Sequence, residues 1–344
     1  MKINGFTKKI KQESLRIAFS SKRLLWLYIL LQSIIYKKRL PKHNNRYHKK
    51  KNKYTVNNKK VVFMCDATSA SGGLVDRLRA IVSIYKTCRD LNLELRILFT
   101  EPFNLNEYLQ PNKVQWETDA EELNYNLKTT DICFISTPTR EKWLADMQEQ
   151  WFKKEFKKNY HEFHVISNTS YSYNYDFATL FSELFKPSPH LQSLINTQKR
   201  IIGNNYISVS CRFRDLLGDF NETCPLNLNL SIKEKEELII KNVKQIEILH
   251  NKFPDKKILV NSDSTRFLNA VKEKEYTYVI PGEIGHIDSK EVNHTEIHDK
   301  TFTDFFMIAH AEHIYLLQTG LMFESGFPWA ASLIYNRPYT RIEF

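Results

Sequence analysis

The chain has 344 residues, 42% hydrophobic, 26% charged and 13% aromatic, too long for one ordinary core and suited to two domains of about 100–200 residues each. Its formal net charge of +11 is uneven: residues 1–60 carry 18 Lys and Arg against the single acid Glu13, while the rest holds 32 basic and 38 acidic residues. A mildly acidic body argues against a nucleic-acid surface spread over the protein and confines the basicity to one terminal device.

Leu24 to Tyr36 reads LLWLYILLQSIIY, thirteen residues between Lys22-Arg23 and Lys37-Lys38-Arg39. A spanning helix needs about 20 apolar residues, and no small-residue cleavage site follows, as a signal peptide would require. The run predicts a helix lying in a membrane interface, with Trp26, Tyr28 and Tyr36 at the headgroups and lysines facing anionic lipid. The alternatives are a helix packed on the protein's own body with a disordered basic tail, and a nucleic-acid contact. Pro41 to Lys60 is polar, basic and nearly devoid of apolar residues, and reads as a linker. Residues 1–57 are thus expected as a membrane-proximal helix and linker.

From Lys60 short apolar runs alternate with amphipathic stretches. Val61-Val62-Phe63-Met64-Cys65 predicts a buried strand ending in a loop from Asp66 to Gly73. Apolar residues at 74, 78, 81, 82, 85 and 88 predict a helix over 74–91. Leu93 to Thr100 and Thr130 to Thr137 predict two further strands. A second series opens with a strand at Tyr206 to Cys211 and a helix at Ser231 to Phe253, begun by a Ser231/Glu234 capping box. Lys257 to Asn261, Thr265 to Glu273 and Tyr276 to Ile280 follow as strand, helix and strand. Phe302 to Ala311, His313 to Gln318 and Gly326 to Tyr335 follow as helix, strand and helix. This rhythm predicts an α/β protein of two Rossmann-like domains, residues 58–195 and 196–344, parting near Pro187 to Asn205. Ligands of such sheets bind beyond the carboxyl ends of the strands, in loops 66–73, 212–224, 262–265 and 318–328.

Five cysteines, Cys65, Cys88, Cys133, Cys211 and Cys224, are scattered without a C-x-x-C pair, which suits a reducing cytosol rather than a disulfide framework or a zinc knuckle. His286, His294, His298, His310 and His313 cluster in sequence, but HTEIH is not His-Glu-x-x-His, and they read as core or surface residues.

Four motifs occupy the predicted strand ends. In SASGGLVDRLRAI (Ser69 to Ile81), Gly72 and Gly73 let backbone amides approach a ligand at a helix N-terminus, with Asp76 and Arg77 in its first turn. In ISVSCRFRDLLGDFNE (Ile207 to Glu222), Arg212 stands where a guanidinium can fork two phosphate oxygens, and Asp215, Asp219 and Glu222 are candidate general bases. ILVNSDSTRF (Ile258 to Phe267) puts Ser262 and Asp263 at a strand end, suited to a ribose or a base edge, or equally to a helix cap. LLQTGLMFESGFPWAASLIYNRP (Leu316 to Pro338) starts a helix near Gly326 whose amides, with the Ser325 hydroxyl, could hold a diphosphate. No G-x-G-x-x-G and no G-x-x-x-x-G-K-[ST] occurs, which weakens dinucleotide-oxidoreductase and NTPase readings.

Together and in this order, the motifs resemble the GDP-fucose-dependent fucosyltransferase superfamily, which includes plant xyloglucan, core α-1,6 and protein-O-fucosyltransferases. Residues 72–79 look like the family's G-G-x-x-x-R loop, and residues 101–116 resemble the plant branch. SCRFRD (Ser210 to Asp215) is similar to His-x-Arg-Arg-x-Asp, with Arg212 on the arginine that binds the donor's β-phosphate. Ser262-Asp263 resembles the guanosine-site Thr/Ser-Asp, and Ser325-Gly326-Phe327 the segment that closes over the diphosphate. Two positions depart from the pattern: the family histidine is Ser210 here, and the signature's second arginine is Phe213.

The resemblance implies two Rossmann-like domains facing across a cleft (GT-B type). The donor residues would be Gly72, Gly73, Asp76, Arg77, Ser210, Arg212, Ser262, Asp263, Ser325, Gly326 and Phe327. It implies inverting transfer of fucose from GDP-fucose to a hydroxyl of a glycan acceptor, with Arg212 and one of Asp215, Asp219 and Glu222 as catalytic groups. No Asp-x-Asp occurs, so no metal or other cofactor is expected. Other donors (GDP-mannose, an ADP- or UDP-sugar) and a non-catalytic carbohydrate-binding role at the membrane are the alternatives. The location expected is the cytoplasmic face of a bacterial inner membrane, with surface-polysaccharide synthesis on a lipid-linked acceptor and no nucleic-acid partner.

Overall fold

The computed structural model describes residues 21–48, 59–66, 73–135, 142–167, 176–220, 226, 228, 230–285, 287 and 295–344. Gly72, Glu222, Cys224, His286 and His294, and the segments 1–20 and 49–58, lie outside the described residues. In chain order, α1 (Lys22–His43) precedes β1 (Lys60–Cys65), α2 (Leu74–Asp90), β2 (Glu94–Phe99) and the short β3 (Leu109–Pro111). Then come β4 (Thr130–Ile135), α3 (Lys142–Glu155), β5 (Glu162–Ser167), α4 (Phe177–Leu184), β6 (Phe185–Pro187) and α5 (Pro189–Ile202). The remainder comprises β7 (Tyr206–Cys211), α6 (Ile232–Lys252), β8 (Lys257–Ser262), α7 (Thr265–Lys272), β9 (Thr277–Tyr278), α8 (Thr295–His310), β10 (Ile314–Gln318), α9 (Gly326–Ile334) and β11 (Tyr339–Glu343).

The chain divides into two compact units, Met1–Glu101 with Gln115–Tyr175, and Pro102–Val114 with Asp176–Phe344. Each holds one all-parallel sheet, in the order β2-β1-β5-β4 in the first and β11-β10-β7-β8-β9 in the second. Parallel strands are covered on both faces, so their sequences are near-continuous apolar runs. Val61 to Cys65 and Tyr206 to Cys211 are buried throughout for this reason. The division differs from the one expected near residue 195. Residues 176–195 belong to the second unit because β6 pairs with β3 and α5 packs on α8, with the Tyr278 hydroxyl donating to Gln198 Oε1 at 2.5 Å.

Local chemistry fixes most element ends. Ser188 caps α5 by accepting from the Leu191 amide at 3.1 Å, Pro189 opens the helix, and Gly203 at φ 86° ends it. Ser231 and Glu234 form the capping box of α6 in full. Three expectations change. Helix α8 starts at Thr295 rather than Phe302, because buried His298 and Lys300 hide its apolar stripe. The edge strand β9 is only two residues long. The linker expected from Pro41 is ordered as far as residue 48, with Pro41 in the last turn of α1 and a 3-10 turn over Asn45–His48.

That turn is held by a buried polar chain. Lys60 Nζ meets Glu162 Oε2 at 3.0 Å, and His164 Nε2 donates to Glu162 Oε1 at 2.6 Å. The carboxylate thereby leaves His164 Nδ1 to accept from the Tyr47 hydroxyl, also at 2.6 Å. Burial alone would raise the Glu162 carboxyl, but the His164 and Lys60 contacts outweigh it and hold it below the ordinary carboxylate value. A lowered folded-state pKa means that this group stabilises the fold above an unfolded value of about 4.3 and that the contribution is lost as pH falls through the folded value. Tyr47→Phe should strand a buried imidazole nitrogen at a cost of about 1–3 kcal/mol, lowering Tm by about 2–4 °C per kcal/mol. Glu162→Gln should flatten the loss of stability on the acid side. Calorimetry of wild type and both variants across pH 3–6 (about one unit either side of the carboxylate range) checks this, and an unchanged Tm for Tyr47→Phe would remove the chain from the stabilising contacts.

Candidate active site

In the second unit the chain leaves β7 toward β8 and β9 on one side, then returns to place β10 and β11 on the other. The carboxyl ends of β7 and β10 therefore flank a topological switch point, where parallel sheets open a crevice for ligands. Arg212 is the first residue beyond β7. Its side chain is 23% exposed, and its Nε lies 3.2 Å from Asp263 Oδ2 at the end of neighbouring β8.

Asp263, 3% exposed at its side chain, organises the whole strand end. Its two oxygens accept from the Phe213 amide at 2.8 Å and the Arg214 amide at 2.7 Å, so one carboxylate fixes three successive residues. Burial pushes its carboxyl above the ordinary range while Arg212 and the two amides oppose that rise. The turn so held puts Arg214 at φ 58°, a left-handed conformation uncommon outside glycine, Asn and Asp. Each guanidinium lies over a ring, Arg212 over Phe220 at 4.7 Å and Arg214 over Phe323 at 5.4 Å. The Phe323 amide donates to the Arg212 carbonyl at 2.9 Å and ties the loop after β10 to the end of β7.

One carboxylate of the 212–220 loop has a structural duty. Asp219 Oδ2 accepts from the Ser264 hydroxyl at 2.9 Å and the Arg266 amide at 2.8 Å, which makes it a cap on the N-terminus of α7. Asp215 lies four residues earlier in the same turn. Ser262 Oγ accepts from the Ser264 amide at 3.2 Å, and Ser264 in turn caps α7 through the Phe267 amide. Ser210, 3% exposed on β7, pairs in register with Asn261. Asn261 donates to Asp304 at 2.7 Å, and the buried Lys300 ammonium donates to both oxygens of that carboxylate.

Across the switch point, Ser325 is the N-cap of α9 and accepts from the Phe327 amide at 3.2 Å. Gly326 is the first residue of this helix, and the Phe327 ring packs 5.1 Å from Phe305. The structure therefore gathers Ser210, Arg212, Asp215, Asp219, Ser262 and Asp263 at neighbouring strand ends, with Ser325, Gly326 and Phe327 on the element following β10.

Gly73, Asp76 and Arg77 belong to the first unit. Gly73 precedes α2, and Asp76 is half exposed, with Oδ1 3.9 Å from Arg79 Nη1. Arg77 is only 2% exposed: it donates to the Glu101 carbonyl at 3.2 Å and lies 5.4 Å from the Phe99 ring. Cys65, Cys88, Cys133 and Cys211 are buried and unbridged. Of the histidines, His310 is lowered to about 4, by burial first and then by Lys199 and Arg337. His298 lies against Phe103, and His313 Nε2 is 2.8 Å from the Thr340 hydroxyl. Among the described residues one trio, Asp131, Cys133 and Glu155, brings three ligand atoms within 4.8 Å. Lys37 and Lys158 already supply its positive charge.

Phe220 and Phe323 are the site residues that sequence patterning did not single out. Phe220 directly follows Asp219 within the charged loop, which is the one signal available for it.

No family model matches the chain, and no curated protein matches it. Solved structures do. The NodZ alpha-1,6-fucosyltransferase soaked with GDP-fucose matches with a TM-score of 0.52 at 12% identity, over 83% of this chain and 95% of that one. NodZ from Bradyrhizobium, in its Se-Met form, matches at 0.53 and 13% identity, over 83% and 94%. A point mutant of Arabidopsis thaliana FUT1 in complex with GDP matches at 0.52 and 11% identity, over 91% and 79%. The chain shares their Rossmann-like α/β fold.

The Asp263 network makes a prediction that holds whatever the ligand. Asp263→Asn turns an acceptor into a donor facing two amides and a guanidinium, so the variant should lose about 1.5–3 kcal/mol or more. Urea unfolding followed in the second unit should show a lower midpoint, and an unshifted midpoint would contradict the assigned geometry.

Proposed function

We propose that the chain is an inverting glycosyltransferase that moves fucose from GDP-fucose to a hydroxyl of a glycan acceptor. The observation that carries this reading is Arg212: a partly exposed side chain at the switch point, braced by a buried carboxylate and joined through its carbonyl to the Phe323 amide, two residues before the Ser325 cap of α9. A braced arginine and the amides of a helix N-terminus together suit a nucleoside diphosphate, and the solved structures of this fold that hold GDP or GDP-fucose support it.

In the reaction, the acceptor oxygen attacks the anomeric carbon from the face opposite the nucleotide. The bond from that carbon to the phosphate oxygen breaks, and GDP leaves with the electron pair. The transition state has oxocarbenium character, and charge accumulates on the departing diphosphate. Arg212, the Ser325 hydroxyl and the amides near Gly326 would neutralise it. The acceptor proton passes to a carboxylate. Because Asp219 is committed to capping α7, Asp215 or Glu222 suits that role better. With arginine and amides carrying the charge, the reaction would proceed without a divalent ion.

Two measurements test the reading. Arg212→Lys keeps a cation beside Asp263, so the fold survives, but loses the planar fork. Removing one charge-assisted contact of about 1.5–3 kcal/mol should weaken GDP binding about ten- to a hundredfold. Undiminished GDP affinity by calorimetry, at an unchanged Tm, would take Arg212 out of the site. Nucleotide release from a panel of GDP-, UDP- and ADP-sugars, with and without EDTA, identifies the donor and tests the metal-free mechanism. Turnover abolished by EDTA and restored by Mn²⁺ would rule that mechanism out, and release from a UDP-sugar alone would rule out the guanosine donor.

A further inference from the structure

Helix α1 has two apolar faces. Leu25, Ile29, Ser33 and Leu40 are buried, and the helix packs on β4 with the Tyr36 ring stacked 3.9 Å from Phe134 and Lys37 paired to Asp131. Leu24, Leu27, Leu31 and Ile34 are 44–56% exposed. At about 100° per residue these four lie along one stripe, opposite the buried one and about 15 Å long. The same angular count puts exposed Arg23, Lys38 and Lys42 at the two ends of the outward stripe.

Charge decides what can cover this face. Residues 22–43 hold six Lys and Arg and no acid. Two of the cations, Lys22 and Arg23, stand in the first turn, where the helix dipole disfavours them, and Ser21 makes no side-chain cap bond. Packing a second copy here would bring two such sets of cations together with nothing to neutralise them. An anionic lipid surface meets every feature at once: leucines enter the acyl boundary while the flanking cations meet headgroups. Residues 1–20, with five more Lys and Arg against one acid, add charge of the same sign.

We infer that the outward stripe of α1 docks the protein on anionic bilayers, while the inward stripe fixes the first unit to that helix. The helix is then a bracket between membrane and body. Among the described residues no helix is long and apolar enough to cross a membrane, and a surface helix needs no such length. This inference does not depend on the sugar-transfer reading.

Co-sedimentation of the full chain with vesicles of phosphatidylcholine, alone or mixed with phosphatidylglycerol, tests it. Wild type should sediment with the anionic vesicles, less so as salt rises. Leu27→Asp with Leu31→Asp should weaken that binding on the order of a hundredfold while Tm and GDP affinity stay those of wild type. Arg23→Gln, Lys38→Gln and Lys42→Gln together should erase most of the preference for anionic over neutral vesicles. Wild type that fails to sediment, or leucine variants that sediment as well as wild type, overturns the proposal. A wild-type dimer dissolved by the leucine substitutions, with vesicle binding unchanged, would instead assign the stripe to a second copy of the chain.

Discussion

The ion pair between Arg212 and Asp263 is the constraint on which the candidate site depends. A carboxylate as buried as Asp263 is tolerable only if its oxygens are bonded. Here the bonds come from the Phe213 and Arg214 amides and the Arg212 Nε, so satisfying the charge dictates the path of the chain as it leaves β7. The left-handed Arg214 and the placement of both guanidinium groups over rings follow from that path. The loop after β10 is then joined to the Arg212 carbonyl, which links the two sides of the switch point. One buried charge thus organises three loops that are far apart in sequence.

At the other end of the chain, packing and exposure divide a single helix. The apolar run at 24–36 admits both a membrane-surface and a body-packing reading, and the structure shows why neither excludes the other. A run apolar on nearly all sides can bury one stripe against β4 and still leave another outward. The anchoring is polar as well as apolar, since Lys37 reaches Asp131 and the turn just beyond the helix sends Tyr47 to His164.

Much of the fold was legible because parallel strands are continuous apolar runs: β1, β7 and β8 stand where the sequence places them, within a residue. Arg212 and Asp263 were legible for the same reason, as the first charges after such runs. Residues 142–202 were not, and α3 shows why. Its buried face is Leu144, Ala145, Gln148, Phe152 and Glu155, two of the five polar, so the helical period is masked in hydropathy although present in structure. Arg77 carries the converse lesson. Read by type, it belongs at a ligand; read by spacing, three after Leu74 and four before Ile81, it lies on the core stripe of α2, where the structure buries it. Phe220 and Phe323 give no periodic signal, because a loop aromatic acquires meaning only from the cation beneath it.

The departures from the fucosyltransferase signature have a physical account in the same strand end. Phe213 stands where the signature has its second arginine, and it is fully buried, its ring 5.0 Å from Phe267. No guanidinium could occupy that position without leaving an unpaired charge in the core. The next cation, Arg214, follows by one residue, and its left-handed backbone turns the side chain out of the core to the Phe323 ring. Ser210, in the place of the signature's histidine, sits beside Asn261 of a network already closed by Lys300 and Asp304. A bulky imidazole at this buried position would have to displace neighbouring side chains, whereas a serine fits. The substitutions are therefore coupled to the packing behind the strand, and Arg212, the first residue beyond it, keeps its place beside Asp263.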